Sequence, residues 1–398
     1  MTLPWAGRLC LRALKHFKHG HLVVNAGGQR FTFGDPTGAL RAEITVRDPR
    51  VYAATLLNGE VGLGDAFVDG WWTTVDLLST VLLFIRNMAP VDSAGGPLRA
   101  LGEAFNRAKH RLRDNSVVGS RSNIAQHYDL GNAFYRLWLD KSLTYSCGVF
   151  ESPDEALEVA QERKLAGVCR KLALKPGDKV LEIGSGWGSF ALWAAAHHGV
   201  HVTTLTLSRE QYQFVQQAVR DAGLEGQIEV RFEDYRQMHG QFDKVASIEM
   251  FEAVGLRHYD SYFGAVERLM TPQGLFLLQA ITMNEASFPR YIGSTDWIQQ
   301  RIFPGAELAS VSEVMRSVGR VTSLGLESLE DIGLHYATTL QKWKERFLVA
   351  SSQVRALGFD ERFMRTWEYY LVGCQGGFLE RHIGDAQMVF FKRGGGSR

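Results

Sequence analysis

Cysteine is scarce: four residues in 398, Cys10, Cys147, Cys169 and Cys374, lie far apart with no CxxC or Cys/His spacing. That argues against a disulfide framework and against a zinc site, so no metal is expected. It fits a reducing cytosol. A charge excess is missing too, since 44 Lys and Arg face 43 Asp and Glu. No global field is left to hold nucleic acid, and attraction to an anionic surface must come from local clusters. Long apolar runs are also lacking. The longest, 77–85, contains Ser79 and Thr80 and stops at Arg86, too short to span a bilayer. Near the N-terminus, Arg8, Arg12, Lys15 and Lys18 interrupt any signal-peptide core. The expectation is a cytoplasmic protein that does not cross a membrane.

What is present suits a folded chain: 45% hydrophobic and 22% charged residues. Residues 1–90 mix strand-like runs such as Glu43–Val46 with a helical Asp76–Arg86, and predict a small α+β domain. Residues 91–122 read as a basic linker, with Gly95-Gly96-Pro97 followed by a cluster from Arg107 to Arg121. Over 123–392, apolar runs alternate with amphipathic helical patterns, which predicts a doubly wound α/β sheet. Strands are expected at 179–183, 201–207, 227–232, 243–248 and 274–281. Helices follow at 336–357 and 360–379, then a last strand at 387–392 and a flexible tail at 393–398. Such sheets bind ligands beyond the carboxyl ends of their strands, so those ends carry the chemistry.

The first strand runs into Glu182-Ile183-Gly184-Ser185-Gly186-Trp187-Gly188 and then a helix. Glycines there allow a tight turn and close approach of a ligand to the backbone. A dinucleotide fingerprint wants a third glycine where Ser189 stands and an acid about 20 residues on; residues 202–208 contain no acid. The G-x-G-x-G form after Glu182 resembles the S-adenosylmethionine loop of class I methyltransferases. Thr206, Ser208 and Gln211 are placed for the ribose and methionine ends, and Asp234 and Tyr235 for the adenine.

Longer motifs are more specific. Asn123–Asn132, Leu143-Thr144-Tyr145-Ser146-Cys147, Glu249–Gly255, Tyr336–Leu340 and Cys374-Gln375-Gly376-Gly377-Phe378 resemble the cyclopropane-fatty-acyl-phospholipid synthase family. Gly62–Trp72 is similar to that family's smaller domain. The resemblance implies a Rossmann-like methyltransferase domain with helical insertions over its active site. It also implies transfer of a methylene group from S-adenosylmethionine to the cis double bond of an unsaturated phospholipid, and a homodimer formed through the small domain. By the same resemblance Tyr145, Ser146, Gly184, Ser185, Gly186, Thr206, Gln211 and Tyr235 hold the donor. Cys147, Glu252, Ile281 and Tyr336 hold a bicarbonate ion that serves as base, with Gln279 where the family commonly has His. Ala253 also departs from the family's usual His.

The chemistry explains the motif. An alkene is a weak nucleophile, so positioning against the sulfonium methyl must supply most of the help. The carbocation formed must be kept from water in an apolar pocket, where the aromatic faces of Phe251, Tyr336, Tyr369 and Tyr370 are candidate stabilisers. A base then removes a proton so that the ring closes. Cys374 is a second candidate at the site, but it lacks the His/Asn company of a nucleophilic cysteine. For the membrane, Arg107–Arg121 and the segment holding Arg8, Arg12, Lys15 and Lys18 around Leu11, Leu14 and Phe17 are expected to meet anionic lipid. Two readings stay open beside the cyclopropane one: a methyltransferase making a methyl- or methylene-branched chain, and an idle lipid-binding subunit.

Overall fold

The computed structural model describes residues 3–87 and 130–393. The basic cluster 107–121, the motif residues Asn123–Asp129 and the glycine tail therefore lie outside the described residues. In the N-terminal part, α1 (Trp5–Leu14) precedes β1 (His21–Ala26), β2 (Gln29–Gly34) and β3 (Arg41–Val46). Then come α2 (Arg50–Val68), β4 (Trp72–Thr74) and α3 (Leu77–Arg86). The strands form a sheet in the order β2-β1-β3-β4. Its core gathers Leu22, Val24, Phe33, Ile44, Phe67 and Trp72. The alternation of β3 sends one face inward, Leu22, Val23 and Val24 of β1 are buried in succession, and the Asp76 carboxylate caps α3 by accepting from the Ser79 N–H.

The larger part holds α4 (Asn132–Tyr135), α5 (Leu157–Lys171), β5 (Lys179–Ile183), α6 (Ser189–His198), β6 (His201–Thr206) and α7 (Arg209–Asp221). It continues through β7 (Ile228–Phe232), β8 (Phe242–Ile248), α8 (Tyr259–Leu269), β9 (Met270–Met283), α9 (Phe288–Tyr291), α10 (Trp297–Arg301) and α11 (Val311–Val321). The last elements are β10 (Leu324–Asp331), α12 (Gly333–Val349), α13 (Ser351–Ala356), α14 (Glu361–Leu379) and β11 (Ile383–Lys392). The sheet order is β10-β11-β9-β8-β5-β6-β7. Five strands, β9 through β7, are parallel, while β11 runs antiparallel to both its neighbours. This is the expected α/β methyltransferase sheet with one antiparallel strand added. The order reverses at β5, so the crevice beyond β5 and β8 is where a ligand belongs.

Three local expectations are corrected. The helix expected over 336–357 breaks at Ala350 into α12 and α13. The last strand starts at Ile383 rather than Gln387. The strand β10 went unforeseen because six of its eight residues face solvent at the sheet edge, leaving no apolar alternation to detect.

Helices α10 and α14 join the two parts. Val372 of α14 enters the small core, Arg365 donates to Phe67 O at 2.7 Å, and Arg86 pairs with Glu380. Asp65 receives a forked pair of bonds from Arg301 at 2.8 and 2.5 Å and a third from the Trp297 indole at 3.1 Å. Gly64 lets the Trp297 and Tyr369 rings approach closely; a Cβ there would stand 2.6 Å from the Trp297 ring.

Candidate functional site

A single cavity of about 1400 Å³ runs from the glycine loop to the helices of the small sheet. Ser208 and Phe251 do not line it, and of the other candidate site residues all but Cys147 and Gln279 do. Those two sit directly behind the lining, each bonded to the carboxylate of Glu249, which does line it.

The loop after β5 is shaped for close approach. Gly184 has φ 97° and Gly186 has φ 48°, backbone conformations costly for any residue with a Cβ. A Cβ on Gly184 would lie 2.9 Å from the Met250 side chain, whereas Gly186 has open space on that side. The Gly184 and Ser185 N–H groups both donate to Leu205 O, at 3.1 and 2.8 Å, which ties the loop to the end of β6. Behind the loop, Glu182 is 3% exposed. Burial raises its carboxyl to about 8, against the pull of the Thr204 hydroxyl, which donates to it at 2.5 Å. Thr206 donates to the Gln211 carbonyl oxygen at 2.9 Å, and Ser208 caps α7. No acid ends β6, which removes the usual anchor for a nicotinamide dinucleotide's ribose.

Beyond the outer end of β7, Asp234 and Tyr235 both line the cavity. Tyr235 packs edge-on to Tyr262 with centroids 5.3 Å apart. Asp234 accepts from Arg236 at 2.9 and 2.7 Å, a pairing that fixes its carboxylate and leaves lone pairs for a further donor. On the other side of the cavity the Tyr145 and Tyr370 hydroxyls meet at 2.8 Å. Ser146 receives the ammonium of buried Lys164 at 3.0 Å. Lys164 had no signal in the sequence beyond lying in a helical stretch. Burial lowers its ammonium, opposed by the charge of Glu249.

The anion-binding set does assemble, but around a side chain. The Glu249 carboxylate accepts the Cys147 backbone N–H at 2.8 Å, the Gln279 amide at 2.8 Å and the Tyr336 hydroxyl at 2.6 Å. Ile281 gives its N–H to Glu252 at 2.5 Å. A bicarbonate would need these same donors, and all four are taken by protein carboxylates. The residues present do not fit the ion, and no step is derived through it. Glu249 was visible only as the first letter of a motif; an acid three residues ahead of Glu252 was the one available hint.

Burial raises the Glu252 carboxyl to about 8, helped by the charge of Glu249, so it is mostly protonated at neutral pH. Its second oxygen is buried with no hydrogen-bond partner among the described residues. Asp385 contacts Glu249 directly and takes the other Gln279 amide hydrogen at 3.0 Å. Burial raises both acids. Glu249 accepts three donors and Asp385 the one Gln279 hydrogen, so within the pair the hydrogen bonds favour the charge on Glu249.

The cysteines carry no chemistry of their own here. Burial pushes the Cys374 thiol to about 12 and the Cys147 thiol well above its ordinary value, so neither is a thiolate. Cys147 contributes through its backbone N–H, and Cys374 lines the wall of the cavity as a neutral thiol. Phe251 is corrected: it lies inside the core against Tyr259 and Tyr262, away from the cavity. Tyr336, stacked on Phe378 at 4.5 Å, and Tyr369 and Tyr370 do line it.

Comparison with known proteins gives a consistent pattern. The family described as mycolic acid cyclopropane synthetase matches residues 116–388. The cyclopropane-fatty-acyl-phospholipid synthase of Escherichia coli (strain K12) is 36% identical over 89% of this chain and 88% of its own. The tuberculostearic acid methyltransferase UfaA1 of Mycobacterium tuberculosis is 35% identical over 85% of this chain and 80% of its own. Among solved structures, mycolic acid cyclopropane synthase CmaA1 complexed with SAH and CTAB superposes with a TM-score of 0.64 at 32% identity. It covers 68% of this chain and 98% of its own.

Proposed function

The chain belongs to the mycolic acid cyclopropane synthetase family and is an S-adenosylmethionine-dependent methyltransferase, and on that premise we propose that it builds a cyclopropane ring on the double bond of an unsaturated phospholipid. The observation that carries this reading is the continuity of one cavity from the glycine loop, past buried carboxylates, to an apolar region between the two sheets. S-adenosylmethionine, consumed as a substrate, supplies an electrophilic methyl. Gly184, Ser185 and Gly186 present backbone to it, with Tyr145, Ser146, Thr206 and Gln211 around it. The acyl chain enters among Val61, Leu340, Phe303 and Tyr370. These walls exclude water while the alkene carbons carry positive charge, and the ring faces of Tyr336 and Tyr370 lower the energy of that charge.

The lipid arrives at an anionic membrane. Arg8, Arg12, Lys15 and Lys18 are exposed, but Leu11 and Phe17 turn into the small core instead of toward lipid. The outward apolar residues are Trp5, 63% exposed, and Leu9, 46% exposed, and both border the cavity. This pairing of basic residues with outward Trp and Leu is suited to an interface with negatively charged headgroups. Among the described residues no helix is long and apolar enough to cross a membrane.

The test is direct. The purified chain is incubated with S-adenosylmethionine and vesicles of monounsaturated phosphatidylglycerol, and the fatty esters are analysed by mass spectrometry before and after hydrogenation. A chain heavier by one methylene that resists hydrogenation is expected. A product that hydrogenates, or one carrying a full methyl branch, would replace the cyclopropane reading with the branched-chain one.

A further inference from the structure

We infer that Glu249 itself is the base that removes the proton from the transferred carbon, so that this enzyme works without a bound carbonate anion. The inference rests on the proposed cyclopropane reaction and deepens it. Its support is geometric. Three donors converge on one carboxylate: the Tyr336 hydroxyl, the Gln279 amide and the Cys147 N–H. That is the donor set a small oxyanion would require, and a covalently attached oxyanion fills it. Nothing has to be captured from solution, and no space is left for a second anion without placing two like charges side by side.

The backbone is committed to this placement. Glu249 has φ 48°, a left-handed conformation that costs a residue with a Cβ roughly 1–2 kcal/mol. Its N–H is held by Gln279 O at 2.8 Å. Strain of this kind persists where surrounding contacts over-determine it, commonly at sites of chemistry. The next residue, Met250, packs directly on Gly184 of the donor loop, and Glu249 lines the same cavity as that loop. The other acids are worse candidates. Among the described residues, Glu252 accepts only the Ile281 N–H and Asp385 only one Gln279 hydrogen, so neither has the set of donors that steadies a charge on Glu249.

The balance of the step is complete. The alkene π pair forms the bond to the methyl carbon while the carbon–sulfur pair departs on sulfur, leaving S-adenosylhomocysteine. The second alkene carbon becomes cationic. Glu249 takes a proton from the transferred carbon, and the released C–H pair forms the second ring bond. Glu249 returns its proton to water once the lipid withdraws. No oxidant, reductant or further reactant is needed.

The experiment uses the full chain in buffer stripped of carbon dioxide under argon, with and without added bicarbonate, and the E249Q and E249G variants. Glycine suits the positive φ, so E249G keeps its fold and opens an anion-sized gap. Wild-type cyclopropane formation is expected to be indifferent to bicarbonate. E249Q is expected to fall by about 100-fold while still binding S-adenosylhomocysteine by calorimetry. Labelled bicarbonate, followed by carbon-13 line broadening, is expected to bind E249G and not the wild type. Wild-type turnover that collapses on stripping and returns with bicarbonate overturns the inference, as does E249Q with wild-type turnover. Wild-type protein that forms no cyclopropane under any condition removes the proposed reaction itself, and this step with it.

Discussion

Replacing Glu182 by Gln offers a clean test of the electrostatics under the glycine loop. Its carboxyl is raised by burial from 4.5 to about 8. The unfolded chain, with the ordinary value, loses this proton first as pH rises. Between those two values the folded state binds more protons than the unfolded one, so stability falls as pH climbs through the window and levels off above about 8. Each pH unit inside the window is worth about 1.4 kcal/mol. From pH 5.5 to pH 8 the loss sums to about 3 kcal/mol once partial ionisation at both ends is included. Glutamine cannot titrate, and its carbonyl still accepts from Thr204. Urea unfolding of both proteins at the two pH values gives the quantity needed, the change with pH in the difference between them. Contributions common to both chains, from Glu252, Glu249 and Asp385, cancel in that difference. The variant is expected to gain about 3 kcal/mol on the wild type between the lower and the higher pH. A difference that does not move with pH would show that Glu182 is ionised in the folded state and that the burial argument is wrong.

Two other outcomes are expected. Tyr336→Phe removes the 2.6 Å bond to Glu249 but keeps the stack on Phe378. Steady-state kinetics are expected to show kcat reduced about 10- to 100-fold with little change in KM for S-adenosylmethionine. Gly64→Val drives a side chain into Trp297 and Tyr369. It is expected to cost about 1–3 kcal/mol and to make the junction of the two sheets more open to limited proteolysis, while E249Q leaves proteolysis unchanged.

Local chemistry was legible wherever a function rests on neighbours in sequence. The turn through Gly184 and Gly186, the missing acid after β6 and the strand ends could be read because each is a short-range pattern with a backbone reason. Partnerships between distant residues could not. That Arg236 folds back on Asp234 depends on a rotamer rather than a spacing. Glu249 looked like an ordinary motif residue because its partners Cys147, Gln279, Tyr336 and Asp385 come from four separate segments. Lys164 reads as one more polar position of α5, and only its placement beneath Ser146 shows it turned inward. The edge strand β10 failed for the opposite reason: its exposure erases the alternation that reveals a strand.

The cavity has walls from both parts of the molecule, with Leu56 of α2 and Val81 and Phe84 of α3 among the residues that line it. Dryness is therefore a joint property of the two parts and not of the catalytic sheet alone. A version cut down to residues 130–393 would keep its loop and its carboxylates yet leave the cation open to quenching. Hydroxylated methyl-bearing chains in place of rings are its expected products, and mass spectrometry of the lipids made by the shortened chain checks this.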